Sequence, residues 1–187
     1  MMLTLASGSP RRRELLGLLG VPFDVVSPDV DESVHDGEGP AGYVERVARQ
    51  KAGAVGDRDV VLAADTTVAI DGTILGKPAD ANDAAAVLRR LSGRTHEVFT
   101  AVAVTRDGRV VAAVERTFVT LAELSEADIA WYVGTGEPLD RAGSYAIQGA
   151  GGAFVTKVEG SVSNVVGLPL TLVIELLRSV GLDPLAR

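Results

Sequence analysis

The sequence comprises 187 residues, of which 47% are hydrophobic, and its formal net charge is −7. This length and apolar content predict one domain over residues 1–187 with a substantial core, and they exclude global disorder. The acidic charge balance weighs against a nucleic-acid partner, because proteins that bind nucleic acids carry basic surfaces. The sequence contains no cysteine, which excludes disulfides, a thiol nucleophile and cysteine-bound zinc.

The sequence also lacks the features of secreted and membrane proteins. Its N-terminus has no basic segment followed by a long apolar stretch, so it does not resemble a secretory signal. The longest apolar runs, such as 168–174, are much shorter than the roughly 20 residues that span a membrane. We therefore expect a cytoplasmic protein with no membrane partner.

The predicted secondary structure alternates strands with helices and includes hairpins. Ser9 and Pro10 suit the N-cap and first position of a helix after the turn 7–10, and Asp71-Gly72 and Asp107-Gly108 suit tight hairpin turns. The predicted elements, in chain order, are strand 3–6, helix 11–19, strand 23–26, helix 42–55, strand 60–70, helix 81–91, a β-meander over 96–121, helix 126–133, a glycine-rich strand and loop over 146–159, and helix 168–180. This order predicts a mixed sheet of the α/β or α+β class.

A candidate phosphate site lies at the first strand-to-helix junction, where Ser7-Gly8-Ser9-Pro10 precedes three arginines, residues 11–13. A helix N-terminus presents unpaired N–H groups and the positive end of the helix dipole, and both favour phosphate. Three arginines at that end oppose the dipole, so helix stability does not explain them, whereas clamping of phosphate oxygens does. The alternative is a capped turn followed by a solvated basic helix start.

Asp65 interrupts the apolar run 60–70. An ionised carboxylate among valine, leucine and alanine is costly unless it is paired, protonated or bound to a metal. Asp65 is therefore a candidate metal ligand or general base. The alternative is an aspartate that caps a turn at the end of a strand.

Charged residues in other segments are weaker candidates for the same site. Lys51 and Lys77 are two of only three lysines in the sequence, and both are suited to contact phosphate. Asp31 and Glu32, in an acidic loop, are suited to share a hard cation with Asp65. Idle surface lysines and a solvated acidic loop are the alternatives.

The segment 134–152 is rich in glycine and contains Gln148. Glycines at this density allow backbone to approach a ligand closely or to turn tightly. The Gln148 amide both donates and accepts hydrogen bonds, so it is suited to recognise the edge of a base. The alternative is a flexible connection.

Seven motifs carry a resemblance to a known family. They are LASGSPRRRELL at 5–16, ADTT at 64–67, LGKP at 75–78, LSGRTH at 91–96, GEPLDRAGSYAIQG at 136–149, GS at 160–161 and NVVGLP at 164–169. In this order, and over essentially the whole chain, they resemble the Maf family of nucleoside triphosphate pyrophosphatases. The resemblance implies an elongated mixed sheet flanked by helices, like that of the inosine triphosphate pyrophosphatases, with the nucleotide in a central cleft.

The resemblance also implies a reaction and a set of residue roles. The reaction is hydrolysis of a nucleoside triphosphate to its monophosphate and pyrophosphate with Mg²⁺ or Mn²⁺. The implied roles are proton acceptor for Asp65, phosphate binding for Ser7, Arg11, Lys51 and Lys77, metal binding for Glu32 together with Asp65, and substrate selection for Arg11, Thr66 and Gln148.

The intact Ile147-Gln148-Gly149 sequence resembles the branch of the family that acts on dTTP and UTP. This branch implies a role in cleansing the nucleotide pool, with normal or modified pyrimidine nucleotides as substrates. The alternatives are the branch that acts on 7-methyl-GTP, and a regulator of septum formation that senses a nucleotide without cleaving it. The family resemblance further implies a homodimer.

Overall fold

The computed structural model describes residues 2–56 and 58–186 of the chain. This part contains seven strands and six α-helices, with short 3₁₀ turns at Glu137–Asp140, Ala142–Ser144 and Ala150–Phe154. The strands and helices are β1 Leu3–Ala6, α1 Pro10–Gly17, β2 Phe23–Val26, α2 Pro40–Gly53, β3 Val60–Ile70, β4 Thr73–Leu75, α3 Ala81–Leu91, β5 Thr95–Arg106, β6 Arg109–Leu121, α4 Glu126–Gly134, β7 Val155–Glu159, α5 Val162–Val166 and α6 Leu170–Ser179.

The strands form one mixed sheet in the order β2-β1-β3-β5-β6-β7, and β4 pairs with the end of β3. β1 is parallel to both of its neighbours, whereas β3, β5, β6 and β7 are antiparallel. β3, β5 and β6 have 11, 12 and 13 residues. At about 3.3 Å per residue these strands are roughly 40 Å long. The predicted elongated, mixed sheet flanked by helices is confirmed.

Side chains alternate between the two faces of the sheet along β3, which divides the core in this half of the molecule. Ala63 belongs to a buried cluster with Val44 and Ala48 of α2. Leu62 belongs to a different buried cluster, which includes Leu16 of α1 and residues of α6. Each face of the first half of the sheet is therefore covered by helices.

A third buried cluster covers the other half of the long strands. Leu88 of α3 and Ile129 and Tyr132 of α4 pack there with Val98 of β5. Tyr145, in the glycine-rich segment, belongs to the same cluster. The segment that contains Gln148 is thus attached to this second half of the sheet.

The helices begin and end close to the predicted positions, with differences that have physical causes. α2 begins at Pro40 rather than residue 42, because proline suits the first helical position. α6 begins at Leu170 rather than residue 168, since Pro169 disfavours helical backbone at the residue before it. α1 ends at Gly17, two residues early, and leaves Leu18 74% exposed. Within residues 2–56 and 58–186, no helix is both long and apolar enough to cross a bilayer.

Candidate active site

The register of the parallel strands brings the first two motifs together. β1 ends at Ala6, which pairs with Ala63 of β3. Because β3 continues beyond that pair, Asp65 and Thr66 lie beside the turn that follows β1. The carboxyl ends of parallel strands are where open α/β sheets bind ligands.

The first turn of α1 is open to an anion. Ser9 occupies the N-cap position and Pro10 the first helical position, as predicted, but the Ser9 side chain makes no capping hydrogen bond. The Ser7 hydroxyl instead accepts a hydrogen bond from the backbone N–H of Ser9 at 3.2 Å. The N–H groups of the first helical turn therefore lack a side-chain cap, which suits them to bind phosphate.

Gly8 in this turn has a structural explanation that needs no ligand. A Cβ atom at this position would lie 2.8 Å from the Ser27 hydroxyl, just beyond β2. The close approach of two neighbouring turns thus favours glycine here, because a larger residue would displace the Ser27 hydroxyl.

Asp65 is buried and paired. Its Oδ1 accepts a hydrogen bond from Lys51 Nζ at 2.8 Å, and the same amine lies 2.8 Å from Glu32 Oε1. Lys51 is itself buried on the face of α2 that packs against the sheet. A buried carboxylate can be paired, protonated or bound to a metal, and the structure shows that Asp65 is paired. Its partner, Lys51, bridges Asp65 and Glu32.

The environment of Asp65 raises its pKa above the ordinary value. Desolvation by burial is the main cause, and it outweighs the opposite effect of the positive charges of Lys51 and Arg12. A carboxylate with a raised pKa is a better proton acceptor near neutral pH than an ordinary one. The environment therefore suits Asp65 to act as a general base.

Two contacts hold the loop that contains Glu32. The Tyr43 hydroxyl donates a hydrogen bond to the Glu32 carbonyl at 3.0 Å, and Arg46 Nη2 donates to the Ser33 carbonyl at 2.8 Å. Asp31 accepts a hydrogen bond from the backbone N–H of Ser33, and it is not part of the cleft lining that contains Glu32. Glu32, rather than Asp31, is therefore placed beside Asp65.

Arg12 is a half-buried residue of the site that the sequence did not single out from its neighbours. Its guanidinium donates to the Gly167 carbonyl at 2.9 Å, to the Thr66 hydroxyl at 3.0 Å and to the Ser7 hydroxyl at 3.3 Å. Burial lowers the pKa of Arg12, although the nearby charges of Asp65 and Glu32 oppose that effect. Arg12 thus ties α1, β3 and the turn before α6 together at the cleft.

Thr66 is fixed on the opposite face of β3 from Asp65. Its hydroxyl lies 2.9 Å from the Thr100 hydroxyl of β5, in addition to its bond from Arg12. The Thr100 hydroxyl in turn donates to the Asn164 carbonyl at 3.1 Å. The position of the Thr66 hydroxyl is therefore set by Arg12 of α1 and by Thr100 of β5.

The eight site residues that the family resemblance implies all line one cleft of about 710 Å³, whereas the further candidate Asp31 does not. This volume falls within the range of about 300–1,000 Å³ that is usual for small-molecule sites. The cleft runs from the first turn of α1, past β3, to the segment 140–148. The predicted residues in its lining are Ser7, Arg11, Glu32, Lys51, Asp65, Thr66, Lys77 and Gln148.

Two charged residues on the far side of the cleft were not assigned roles from the sequence. Asp140 accepts a hydrogen bond from Lys77 at 2.6 Å, and both side chains are exposed. Arg141 also lines the cleft, and its buried Nε has no hydrogen-bond partner among the described residues. Basic groups thus lie at both ends of the cleft, as a long polyanion would require.

The donor set suits a hard divalent cation that also binds the substrate. Within the described ranges, no group of three or more His, Cys, Asp or Glu side chains is arranged to hold a metal. Glu32 and Asp65 supply two carboxylates that share Lys51. Mg²⁺ commonly binds one or two carboxylates plus substrate phosphates rather than an all-protein cage. The residues present therefore fit a Mg²⁺ ion whose ligands come partly from these carboxylates and partly from phosphate groups.

The chain is similar to proteins that share one name. A dTTP/UTP pyrophosphatase of Anaeromyxobacter dehalogenans (strain 2CP-C) is 60% identical over 183 residues, which is 96% of this chain and 94% of that protein. One of the same name from Myxococcus xanthus is 54% identical over 184 residues, or 97% of this chain and 93% of that protein.

A solved structure, the Ham1 protein of Staphylococcus aureus, has a TM-score of 0.47 at 13% identity over 66% of this chain and 73% of that one. A family model described as Maf-like protein matches residues 2–180. The match covers β1 to the end of α6 and every residue that lines the cleft. The chain belongs to the Maf family.

Proposed function

We propose that the chain hydrolyses dTTP and UTP to the nucleoside monophosphate and pyrophosphate. The observation that carries this proposal is the buried Asp65, paired with Lys51 beside the open first turn of α1. Relatives with 48–60% identity named as dTTP/UTP pyrophosphatases support it. The role in the cell that follows is removal of pyrimidine nucleotides, normal or modified, from the nucleotide pool.

The triphosphate is held by the basic groups around the cleft. The first turn of α1, with Ser7 and Arg11, binds phosphate oxygens through N–H groups and positive charge. Lys51 and Lys77 face the same cleft and neutralise further phosphate charge. Lys77 is held by Asp140 at 2.6 Å, and because that pair is exposed, phosphate can replace Asp140 at little cost.

Asp65 accepts the proton of the attacking water. Within the described part of the chain, Lys51 occupies Asp65 Oδ1 and no hydrogen bond reaches Oδ2. A water that donates to Oδ2 is oriented for attack on the α-phosphorus. Its oxygen forms the new bond to phosphorus, its proton passes to Asp65, and the bond to the bridging oxygen breaks with its electrons leaving on pyrophosphate.

Glu32 and Asp65 are the residues that would hold a divalent cation, Mg²⁺ or Mn²⁺. When bound, such a cation supplies positive charge against the triphosphate. Lys51 lies between the two carboxylates and keeps them close together in spite of their like charges. Lys51 would therefore hold the two carboxylates together, and the cation would supply positive charge to the triphosphate.

The base is selected by Gln148, with Thr66 and Arg11 completing the selectivity. Gln148 is exposed at the cleft, where its amide can pair with the edge of a pyrimidine. We further propose a cytoplasmic homodimer whose ligand is the nucleotide, with neither nucleic acid nor membrane as a partner.

Replacing Asp65 by Asn tests the proposal. Asp65→Asn keeps the shape but removes the proton acceptor, so kcat for UTP falls by about 10²-fold or more, the usual contribution of general-base catalysis. Nucleotide binding, measured by calorimetry, stays detectable. Asp71→Asn is the control, because Asp71 lies just beyond β3 with its carboxylate exposed and paired with Arg94. A kcat for Asp65→Asn near that of the control would contradict the role of Asp65. If the wild-type protein released pyrophosphate from none of the nucleotides tested, the alternative function as a regulator that senses a nucleotide without cleaving it would be favoured.

A further inference from the structure

The loop that contains Gln148 is fastened at both ends by two side chains, Tyr132 of α4 and Glu137. Before the loop, the Ala146 N–H donates to the Tyr132 hydroxyl at 3.0 Å. After it, the N–H groups of Ala150 and Gly151 donate to the Glu137 carboxylate at 3.0 and 3.1 Å. The Tyr132 hydroxyl also donates to Glu137 at 2.6 Å. The two fastening points are thus joined to each other.

The glycines around Gln148 fit closely against this pair. A Cβ atom on Gly149 would overlap the Glu137 carboxylate, and one on Gly151 would overlap the Tyr132 hydroxyl. The loop backbone therefore lies directly on the two side chains. Side chains larger than hydrogen at these positions would push the loop away from them.

Tyr132 is itself rigidly held. It is fully buried, and its ring packs edge-on against Phe154 with centroids 5.4 Å apart. Phe154 ends the 3₁₀ turn that follows the loop. The support for the loop thus extends from α4 to the beginning of β7.

Gln148 has no such support of its own. Among the described residues, its side-chain amide makes no hydrogen bond, and the residue is exposed. The position of the amide in the cleft is therefore set by the backbone of residues 146–151, and that backbone is set by Tyr132 and Glu137.

We propose that Glu137 and Tyr132 are positioning residues for base selection, which act by holding the Gln148 loop at the cleft. This inference rests on the proposed hydrolysis of pyrimidine nucleotides. Neither residue lines the cleft. Their effect on the base therefore passes through the backbone of the loop.

The chemistry of Glu137 requires a carboxylate. Its two oxygens accept hydrogen bonds from three donors, and only an acceptor at both oxygens serves all of them. Desolvation alone would raise the pKa of Glu137, but hydrogen bonds from Tyr132, Gly151 and Ala150 lower it, so the side chain is ionised at neutral pH. A glutamine would turn an NH₂ group toward at least one of these donors and release that end of the loop.

The test compares Glu137→Gln with Glu126→Gln. Glu126 also belongs to the Tyr132 helix, α4, but its carboxylate is exposed and paired with Arg89 away from the cleft. For Glu137→Gln we expect KM for UTP to rise about tenfold with a smaller change in kcat, and the ratio of kcat/KM for UTP to that for GTP to fall about tenfold. Glu126→Gln keeps both values. Tyr132→Phe, which removes a single oxygen, gives the same test if Glu137→Gln does not fold.

A double variant shows whether Glu137 acts through Gln148. If it does, adding Glu137→Gln to Gln148→Ala lowers the UTP-to-GTP ratio little further, because coupled residues are not additive. Equal losses for both nucleotides that follow the loss in Tm, or an additive double variant, would overturn the inference. Absence of pyrophosphate release by the wild-type protein would instead contradict the proposed function.

Discussion

Among single residues, the buried carboxylate of Asp65 is central to the proposed reaction, and it must be stabilised by its surroundings. Asp65 is 4% exposed and lies on a strand of apolar residues. Lys51 neutralises it at 2.8 Å and is shared with Glu32. Loss of Lys51 would therefore cost about 3–5 kcal/mol, because Asp65 would stay buried without its ion-pair partner. The charge of Lys51 therefore affects both the stability of the fold and the proposed proton transfer to Asp65.

The buried His96 side chain makes the stability of the protein depend on pH. Its Nε2 lies 2.8 Å from the Tyr145 hydroxyl, and its Nδ1 has no partner among the described residues. Desolvation lowers the pKa of His96 to about 4. The folded state thus keeps His96 neutral in a pH range where the unfolded chain binds a proton.

The sign of the pH dependence follows from that difference. The contribution of His96 to stability is complete above pH 6.5, the pKa of the unfolded chain, and is lost as the pH falls toward 4. The full depression of the pKa corresponds to about 3 kcal/mol. Urea unfolding at pH 7 and pH 5 measures the loss, and His96→Gln should show a clearly smaller one. His35→Gln is the control, because His35 is exposed. An equal loss in His96→Gln and the wild type would refute this origin.

At the scale of elements, the site depends on strand register and on the turns at the ends of strands. The pairing of Ala6 with Ala63 sets Asp65 beside the turn after β1. On the far side of the cleft, Gly143 brings the turn Ala142–Ser144 against Val68 of β3. Its φ is +69°, and a Cβ there would lie 2.8 Å from the Val68 side chain.

Gly143→Ala is expected to destabilise the protein for two reasons. The positive φ costs an alanine about 1–2 kcal/mol, and overpacking against Val68 adds about 1–3 kcal/mol. Gly108→Ala separates the two effects, because Gly108 has a φ of +75° and open space around it. Chemical denaturation should therefore show a loss for Gly143→Ala that exceeds the loss for Gly108→Ala by at least about 1 kcal/mol. Equal losses of unfolding free energy in the two variants would mean that the Val68 side chain moves aside without an energetic cost.

For the molecule as a whole, the sequence alone predicted the strands, the longer helices and most residues of the candidate site. Apolar periodicity and turn dipeptides predicted the long strands. Asp80 and Ser125, the N-cap residues of α3 and α4, are of the types that favour helix starts, and their side chains accept backbone hydrogen bonds. The short helix α5 was missed, because five residues carry too little periodicity. Each site residue that the family resemblance implies lines the same cleft, and only the weaker candidate Asp31 lies outside its lining.

What the sequence did not reveal depends on geometry in three dimensions. Three successive arginines are visible at 11–13, but the rotation of α1 decides that Arg12 is the one directed at Thr66 and Gly167. Likewise, Glu137 and Tyr132 are an ordinary acid and an ordinary aromatic residue in the sequence. Their contact with the Gln148 loop arises only when α4 packs on the second half of the sheet.

The cleft lies between the two halves of the sheet, with the first turn of α1 on one half and the Gln148 loop on the other. In the proposed binding mode, a nucleotide that bridges the two halves would present its α-phosphorus to Asp65, which also lines the cleft. Such a placement would direct attack to the α-phosphorus rather than to the terminal phosphorus.

Identification of the products formed from UTP shows which phosphoanhydride bond the protein cleaves. Chromatography of the wild-type reaction with Mg²⁺ should show UMP and pyrophosphate in equal amounts, with little product when EDTA removes the cation. Formation of UDP and inorganic phosphate would place the attack at the terminal phosphorus and contradict the account, as would failure to turn over UTP or dTTP.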